Sequence, residues 1–399
     1  MESLSPGALG GIEAPAVIAP NNFKFKSLSN WSYNISIGCL HACSFCYVPS
    51  VATIRGEKVL EKAGAIPKSW QQERQRGQHW GDRHWGEYSL LRTWDEIAFR
   101  KSLAAAEKAK RIAPDGNRAV MLCTTTDPYQ TFSVPGNPEK TKLLNAQCEG
   151  LVTKALKIIL EESTLNVRIL TRSPLAKRDF SLFKKFGNRL VFGMSLPTLD
   201  DKLSQIYEPG APGPAVKLKT LQAAVDGGLH VYVALAPTLP DDGREGVRKV
   251  MEEIVKLRPI TIFHEPINLR AENVHRIEKK AKELGRSIKS EVFQTNERWR
   301  EYAFEQFALV EEIALDLKIP DGVLHLWPDR NLASRSGFLK MRRMQIERDS
   351  RAVTISKKQL NRFENDWAEK FEPWLKFWHN PQERISSWPG IRMPTWRKT

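Results

Sequence analysis

Long hydrophobic runs are missing from this sequence of 399 residues. No stretch approaches the roughly 18 consecutive apolar residues that suggest a membrane-spanning helix, so we expect no membrane partner. The amino-terminal segment also lacks a basic region followed by an apolar one, and we therefore expect no secretory signal peptide. Together these absences predict a cytoplasmic protein.

Cysteine is scarce: the chain has five, an odd number. Three of them, Cys39, Cys43 and Cys46, fall within eight residues, whereas Cys123 and Cys148 stand alone. A disulfide framework would use an even number of cysteines, spread along a small secreted domain. Three clustered thiols in an intracellular protein favour a metal site instead. We expect Cys148, which lies in a helical stretch, to belong to the core.

Acidic residues are in the minority, at 46 against 61 Lys and Arg, so the net charge is +15. Such an excess is typical of proteins that bind nucleic acid, and it fits a generally basic protein equally well. In residues 328–399, sixteen basic residues stand against eight acidic ones, with five tryptophans interleaved. Basic groups among aromatic rings suit single-stranded nucleic acid. The alternative is a terminal helix whose aromatic residues pack onto the rest of the protein.

Short apolar runs alternate with helical stretches through most of the chain, which predicts an α/β fold with a parallel sheet and right-handed crossovers. Strands are predicted at 33–37, 119–123, 166–171, 190–195, 229–236, 260–264 and 323–327. Helices are predicted at 94–113, 139–162, 175–187, 214–227, 243–257 and 297–317. The predicted parts are a leader (1–28), the α/β core (29–330) with a polar insertion at about 55–116, and a basic, tryptophan-rich helical extension (331–399).

The clustered cysteines are spaced as CX3CX2C, directly after the first predicted strand. Thiolates suit both iron–sulfur clusters and zinc. A four-iron cluster usually takes four cysteines, so three leave one iron open, as a catalytic metal site requires. The alternative is a structural zinc site that adds His41 to the three thiols. Such sites usually pair two short knuckles, and no second Cys or His pair lies nearby in the sequence.

This motif, with an aromatic residue before its last cysteine, resembles the signature of the radical S-adenosylmethionine superfamily. Further segments occur in the order seen in the branch related to spore photoproduct lyase, over about residues 30–330, and the chain resembles a member of that branch other than the lyase itself. The segments are Trp85-Gly86, TDPYQ at 126–130, LTRS at 170–173, MSL at 194–196, EPGAP at 208–212 and AP at 236–237.

The resemblance implies a partial (β/α)6 barrel of the TIM type, with a four-iron, four-sulfur (4Fe-4S) cluster on Cys39, Cys43 and Cys46. It implies that the open iron binds S-adenosyl-L-methionine, and that one electron from flavodoxin or ferredoxin cleaves it to a 5′-deoxyadenosyl radical. That radical would abstract hydrogen from a substrate, in a lyase or transferase reaction. Nucleic acid is the expected substrate. The alternatives are a peptide or small metabolite, or a non-catalytic, zinc-stabilised nucleic-acid-binding protein.

The resemblance also implies which residues contact S-adenosylmethionine, and all of them lie in the cysteine loop or at predicted strand ends. They are Phe45, Tyr47, Thr124, Thr125, Thr126, Asp127, Ser195, Pro237 and Leu239. The threonines and Asp127 match the position that contacts the methionine amine, Ser195 matches the ribose position, and the aromatic residues, Pro237 and Leu239 would surround the adenine. Two alternatives stay open: Asp127 stabilises a turn, and the aromatic residues seal the loop onto the core.

Three residues are candidates for catalysis. His264 and Glu265 end the sixth predicted strand, where barrel enzymes place functional groups; a structural histidine is the alternative. Cys123 resembles the hydrogen-donating cysteine of the lyase, but one extra residue separates it from Asp127. Because strand side chains alternate, that offset predicts a thiol turned to the other face, as a small buried hydrophobe. Glu208 is expected to pair with an arginine across the barrel mouth, Arg172.

Overall fold

The computed structural model describes residues 8–21, 29–50, 60–61, 64–75, 79–109, 118–270, 272–320 and 323–326. The predicted extension over 331–399 lies outside the described residues. The strands are β1 Ala8–Pro15, β2 Ile18–Pro20, β3 Trp31–Tyr33, β4 Ser36–Gly38, β5 Tyr88–Thr93, β6 Ala119–Leu122, β7 Asn166–Thr171, β8 Leu190–Ser195, β9 Val231–Thr238, β10 Thr261–Pro266 and β11 Leu324–Leu326. The α-helices are α1 Lys68–Gln75, α2 Trp80–Arg83, α3 Glu96–Lys108, α4 Pro138–Glu162, α5 Phe180–Lys185, α6 Asp201–Tyr207, α7 Pro214–Asp226, α8 Gly243–Lys256, α9 Asn273–Glu283 and α10 Asn296–Asp316.

The main sheet has the strand order β11-β10-β9-β8-β7-β6-β3-β2. All neighbours in it pair in parallel except β2 and β3, which are antiparallel. Helices connect the successive parallel strands, and β8 is buried along its whole length, as expected for a parallel strand covered on both faces. The predicted α/β fold with a parallel sheet is therefore confirmed. Parallel strands place all their carboxyl ends at one edge.

A smaller sheet of order β1-β5-β4 lies beside the main one, and it changes one prediction. The single strand predicted at 33–37 is divided: Tyr33 ends β3 in the main sheet, and Ser36 begins β4 in the small sheet. Between them, Ile35 accepts a hydrogen bond at its carbonyl oxygen from the Arg92 amide (2.8 Å). The chain crosses from one sheet to the other here, immediately before the cysteines.

The predicted leader contains two strands. β1 pairs in parallel with β5, with Ala8 opposite Tyr88, and β2 pairs with β3, with Ile18 opposite Tyr33. Glycine and proline usually weaken strands, but β1 is an edge strand, where both are tolerated. Its apolar side chains at Ala8 and Ile12 are buried, which gives the strand its place.

Helix α4 shows how local signals define the helical layer. Asn137 caps it by accepting a hydrogen bond from the Lys140 amide (2.9 Å), and Pro138 occupies its first turn. Its buried residues recur at helical spacing and include Cys148, so the prediction that this cysteine belongs to the core is confirmed. None of the described helices is long and apolar enough to cross a membrane.

Candidate active site

The three clustered cysteines border one cavity, of about 200 Å³, at the carboxyl ends of the parallel strands. Five strands of the main sheet each contribute a residue to it: Met121, Leu170, Ser195, Ala234 and Glu265. In α/β enzymes with parallel strands, functional groups collect at this edge. The motif read from the sequence and the strand ends thus belong to one site.

Gly210, in the EPGAP segment, holds the cysteine loop from one side. A Cβ on Gly210 would collide with the carbonyl oxygen of Leu40, so only glycine permits this approach. The Gly210 amide donates to the His41 carbonyl (3.0 Å), and His41 Nδ1 lies 3.3 Å from the Gly210 carbonyl oxygen. Ser44 Oγ donates to the carbonyl of Ile206 (2.7 Å). The segment therefore supports the loop between Cys39 and Cys46.

The TDPYQ segment holds the same loop from another side. Gln130 Oε1 accepts a hydrogen bond from the Leu40 amide (3.1 Å), and Gln130 Nε2 donates to Ser36 Oγ (3.0 Å). Thr126 Oγ1 donates to the carbonyl of Gly38 (2.6 Å). Thr126, predicted to contact S-adenosylmethionine, thus has its hydroxyl engaged with the start of the cysteine loop.

Helix α9 supplies a third support, which the sequence did not indicate. Arg276 Nη2 donates to the carbonyl of Cys46 (2.5 Å), and Nη1 donates to Asp82 Oδ1 (2.9 Å). Asn273 Nδ2 donates to the carbonyl of Phe45 (3.3 Å). Between 194 and 230 positions separate these partners, so no local pattern marked them.

Asp127 is buried, and its oxygens are engaged within the protein. Oδ1 accepts from Thr171 Oγ1 (2.7 Å) and from the Tyr129 amide (2.8 Å), and Oδ2 accepts from the Arg172 amide (2.9 Å). His41 Nε2 lies 3.1 Å from Oδ2. Burial alone would raise the pKa of Asp127, but His41 and these hydrogen bonds outweigh it and lower the pKa. Asp127 therefore fixes the turn, the structural alternative considered above, while bordering the cavity.

A buried group of three charges lies beside the cysteines. Arg172 Nε donates to Glu208 Oε1 (2.5 Å), which confirms the expected pair, and Lys217 Nζ donates to Glu208 Oε2. Glu208 and Lys217 are fully buried. Arg172 also donates from Nη2 to Ser195 Oγ (3.1 Å) and stacks over the ring of Phe45. Burial would raise the pKa of Glu208, but its two cations hold it below its usual value.

All three predicted threonines border the cavity, and two of them share one partner. Asn34 Oδ1 accepts from Thr125 Oγ1 (3.2 Å) and from the Thr125 amide (3.1 Å), and Asn34 Nδ2 donates to Thr124 Oγ1 (3.3 Å). Asn34 stands where the chain passes between the two sheets. Thr124 and Thr125 are therefore oriented by the connection between β3 and β4, not only by their own turn.

Cys123 borders the cavity together with the three clustered cysteines. The one-residue offset predicted a thiol turned to the other face, but β6 ends at Leu122 and Cys123 has a φ of +60°. That left-handed conformation interrupts the alternation on which the prediction depended. Its amide donates to the Tyr33 carbonyl (2.8 Å), and burial raises the pKa of its thiol. The thiol is therefore held in its protonated form.

His264 and Glu265 lie on opposite faces of β10, so they do not form one catalytic pair. His264 is fully buried, with Nε2 lying 3.2 Å from Thr238 Oγ1 and its ring packed edge-on against Phe307 of α10. Burial lowers the pKa of His264 to about 3. It does not border the cavity, and its contacts are those of a structural histidine. Glu265 does border the cavity, where its Oε1 accepts from Asn268 Nδ2 (3.3 Å).

The residues predicted to surround the adenine are only partly brought together. Phe45, Tyr47 and Pro237 border the cavity. Leu239 does not: it lies beyond the end of β9 and is fully buried in the main hydrophobic core. Burial of its apolar side chain in that core is favourable, and this explains why Leu239 does not face the cavity.

Several cavity residues were missed in the sequence. They include Val48, Trp85, Met121, Leu170, Ala234, Ile267 and Asn268. Strand periodicity held a signal for Ala234, which precedes the cavity residue Ala236 by two positions on β9 and so shares its face. The position of Trp85 at the cavity depends on tertiary packing, since Trp85 belongs to an aromatic cluster behind the cysteine loop.

The zinc alternative required His41 beside the three thiols. His41 is instead buried against Asp127 and Gly210. Within the described part of the chain, no three His, Cys, Asp or Glu side chains converge closely enough to ligate one metal ion.

No family model matches this chain. The uncharacterised protein ORF301 of Acidianus two-tailed virus is 29% identical to it over 279 residues, which are 66% of this chain and 78% of that protein. An uncharacterised protein of Methanocaldococcus jannaschii is 30% identical over 123 residues, 30% of this chain and 44% of that protein.

Solved structures give the fold relationship. A variant of spore photoproduct lyase matches with a TM-score of 0.51 at 11% identity, over 80% of this chain and 81% of the lyase chain. Spore photoproduct lyase complexed with dinucleoside spore photoproduct matches with a TM-score of 0.50 at 12% identity, over 80% and 81% of the two chains. This likeness confirms, at the level of the fold, the resemblance indicated by the sequence motifs.

Proposed function

We propose that this chain, which has the fold of spore photoproduct lyase, is a radical S-adenosylmethionine enzyme that holds a 4Fe-4S cluster on Cys39, Cys43 and Cys46. One observation carries the proposal: three thiols in CX3CX2C spacing border the cavity in which the parallel strands end. When bound and reduced, the cluster would supply the electron that cleaves S-adenosylmethionine to a 5′-deoxyadenosyl radical.

The residues present fit such a cluster. The three thiols of the CX3CX2C loop, of which Cys43 is buried and Cys39 and Cys46 are half-buried, would ligate three irons and leave the fourth iron for an outside ligand. The loop that carries them is supported by Gly210, Gln130 and Arg276, which keeps the ligands in place. The parallel run β3 and β6 to β10 supplies the six strands that a partial barrel requires.

We assign the bound nucleoside to the polar and apolar groups that border the cavity. Thr124 and Thr125 would receive its methionyl end, and Ser195, oriented by Arg172, its ribose. The adenine would lie against apolar walls formed by Phe45, Tyr47 and Pro237. Because Asp127 and Thr126 are engaged in supporting the loop, their role would be to position these groups.

For the substrate we propose nucleic acid or its constituents. The net charge of +15 supports a polyanion, and spore photoproduct lyase was solved with a dinucleoside photoproduct. Cys123 is our candidate hydrogen-atom donor, because its buried thiol stays protonated at the cavity. Its S–H bond would break homolytically to quench a substrate radical, leaving a thiyl radical that regains hydrogen from 5′-deoxyadenosine.

Anaerobic reconstitution tests the proposed cofactor. We expect a brown protein with about four irons and four sulfides per chain, which forms 5′-deoxyadenosine from S-adenosylmethionine with dithionite. Cys39→Ala, Cys43→Ala and Cys46→Ala should each abolish this reaction, whereas Cys148→Ala, a matched loss of a core thiol, should retain it. A colourless protein with one zinc, or cleavage that survives loss of a clustered cysteine, would overturn the proposal.

Polynucleotide binding tests the proposed substrate class. Retention on immobilised single-stranded DNA should fall steeply with salt, because each neutralised phosphate contributes a slope of about −0.7 to the logarithmic plot. The matched measurement uses an uncharged peptide library on the same matrix. Retention that does not depend on salt, or stronger retention of peptides, would contradict a nucleic-acid substrate and would indicate that the same radical chemistry acts on another class of substrate.

A further inference from the structure

Trp85 brings a buried hydrogen-bond donor to the wall of the cavity at the strand ends. It lies between α2 and β5, borders the cavity and is only 7% exposed. Its indole Nε1 is buried, and none of the residues that the structure describes accepts a hydrogen bond from it. An indole N–H can only donate, and a buried one usually has an acceptor. A donor without an acceptor at a cavity wall indicates that it serves a bound group.

The chain holds Trp85 directly beside the cysteine loop. The next residue, Gly86, has a φ of +98°, and a Cβ on it would collide with the Cβ of Ala42, so glycine alone permits this approach. Cys39 and Cys46 both pack against the aromatic cluster to which Trp85 belongs. The indole is therefore placed near two of the three proposed cluster ligands.

The chemistry of sulfur accounts for a donor that has no partner among the free thiols. A neutral thiol is a weak acceptor, whereas ligation to a metal requires the thiolate. An iron–sulfur cluster adds sulfide, and hydrogen bonds to anionic acceptors are the stronger ones. The polar groups assigned to the nucleoside, Thr124, Thr125 and Ser195, lie instead at the ends of β6 and β8. Cluster sulfur is thus the acceptor that fits this donor best.

We propose that the indole N–H of Trp85 donates a hydrogen bond to a sulfur atom of the cluster held by Cys39, Cys43 and Cys46, and thereby raises the reduction potential of that cluster. The inference rests on the proposed function, since it concerns the cofactor of that same site. Reduction adds one negative charge to the cluster, and a donor aimed at its sulfur stabilises the reduced form more than the oxidised form. Trp85 therefore eases the entry of the electron.

A redox titration followed by electron paramagnetic resonance tests the proposal on the reconstituted protein, without S-adenosylmethionine. Trp85→Phe keeps an aromatic ring and removes the N–H. We expect the equilibrium constant for one-electron reduction to fall about tenfold, which lowers the midpoint potential by about 59 mV. The matched control is Trp70→Phe. Trp70 belongs to the same aromatic cluster and its Nε1 is likewise buried without a partner, but it does not border the cavity.

Isotope labelling gives a second measurement, which does not depend on how well Trp85→Phe assembles. The unchanged chain is produced with ¹⁵N in its indole rings, and the reduced cluster is examined by pulsed electron paramagnetic resonance. We expect a ¹⁵N hyperfine coupling that persists in Trp70→Phe and is absent from Trp85→Phe. A reduced cluster without ¹⁵N coupling in the unchanged chain would overturn the proposal.

The outcomes separate this inference from the proposed function. A lowered potential in Trp85→Phe alone, together with the coupling, supports the hydrogen bond. Equal potentials in Trp85→Phe and the unchanged chain overturn it, as does an equal fall in Trp70→Phe. A fall that occurs only after S-adenosylmethionine is added also overturns it, because the donor would then serve the nucleoside. In each case an intact cluster that cleaves S-adenosylmethionine leaves the proposed function standing, whereas failure of the unchanged chain to assemble a cluster removes both.

Discussion

Nε of Arg172 donates to Oε1 of Glu208 over 2.5 Å, in a pair that Lys217 completes from the other side. Two cations and one carboxylate give this buried group a net charge of +1. Cutting one member from such a group leaves charge without compensation in a medium of low polarity.

Substitution within this group should therefore have unequal costs. Glu208→Gln leaves two buried cations, and we expect it to lower the free energy of unfolding by about 3–5 kcal/mol. Lys217→Met preserves the Arg172–Glu208 pair and removes the net charge, so its cost should be smaller. Urea denaturation of the two variants beside the unchanged chain measures this. A larger loss in Lys217→Met would show that the lysine, not the carboxylate, dominates.

Gly210→Ala should disturb the cysteine loop without unfolding the protein. Its Cβ would collide with the Leu40 carbonyl, and overpacking of this kind costs about 1–3 kcal/mol. We expect iron incorporation well below that of the unchanged chain, measured after reconstitution. Gly150→Ala is the matched control: its Cβ meets open space inside α4, where alanine should stabilise the helix by about 1 kcal/mol. Equal iron contents in the two variants would refute the assigned support.

The neighbouring residues His264 and Glu265 should respond differently to substitution by glutamine. Glu265→Gln alters a group at the cavity, and loss of a general acid or base costs about 10²–10⁴-fold in rate. His264→Gln alters a group beneath α10 and should leave turnover unchanged. Product formation per reconstituted cluster decides between them. Activity lost in His264→Gln and kept in Glu265→Gln would reverse the two assignments.

His264 should also contribute to the pH dependence of stability. Its pKa falls from 6.5 to about 3 on folding, because burial disfavours the charged ring. The stabilisation is thus complete above pH 6.5 and is lost as the pH falls towards 3. The loss in the free energy of unfolding is about 2 kcal/mol at pH 5. His264→Gln should lose less stability than the unchanged chain between pH 7.5 and 5, by urea denaturation. Parallel losses would mean that the ring is not buried neutral.

Asp242 should act in the opposite direction. Burial, and then the nearby carboxylates Asp200 and Asp241, raise its pKa to about 6 despite the hydrogen bond from Thr198. Its folded form therefore favours the proton, and stability falls as the pH rises from 3.8 through 6, by up to about 3 kcal/mol. Asp242→Asn should remove this fall, so that the variant gains on the unchanged chain between pH 5 and 8. An unchanged difference across that range would contradict the shift.

Patterns of short range were sufficient for much of the fold. The sequence predicted β7 and β8 with their observed bounds. β8 is a continuous apolar run that ends in a polar residue, and β7 is apolar between its polar ends except at Arg168. It also predicted the cysteine loop, since all three thiols lie within one short segment. Such features depend on residues that are neighbours along the chain, and they can therefore be predicted from the sequence.

Contacts between segments that are distant along the chain could not be predicted in this way. The division of the first strand depends on the Arg92 amide, and the support at Cys46 depends on Arg276. Lys217 reads as an ordinary polar position of α7, although it is fully buried against Glu208. The left-handed conformation of Cys123 could not be predicted either, because strand periodicity does not indicate the residue at which a strand ends. Each is decided by tertiary packing.

The strand order of the small sheet connects the amino-terminal strand β1 to the cysteine loop. β1 lies along β5, β5 carries β4, and Gly38 at the end of β4 is followed by Cys39. Removal of residues 1–16 would delete β1 and leave one edge of β5 without its backbone hydrogen-bond partners. The other edge of β5 pairs with β4, the strand that leads into Cys39. A shortened start that removes β1 would therefore weaken the small sheet whose last strand leads into Cys39.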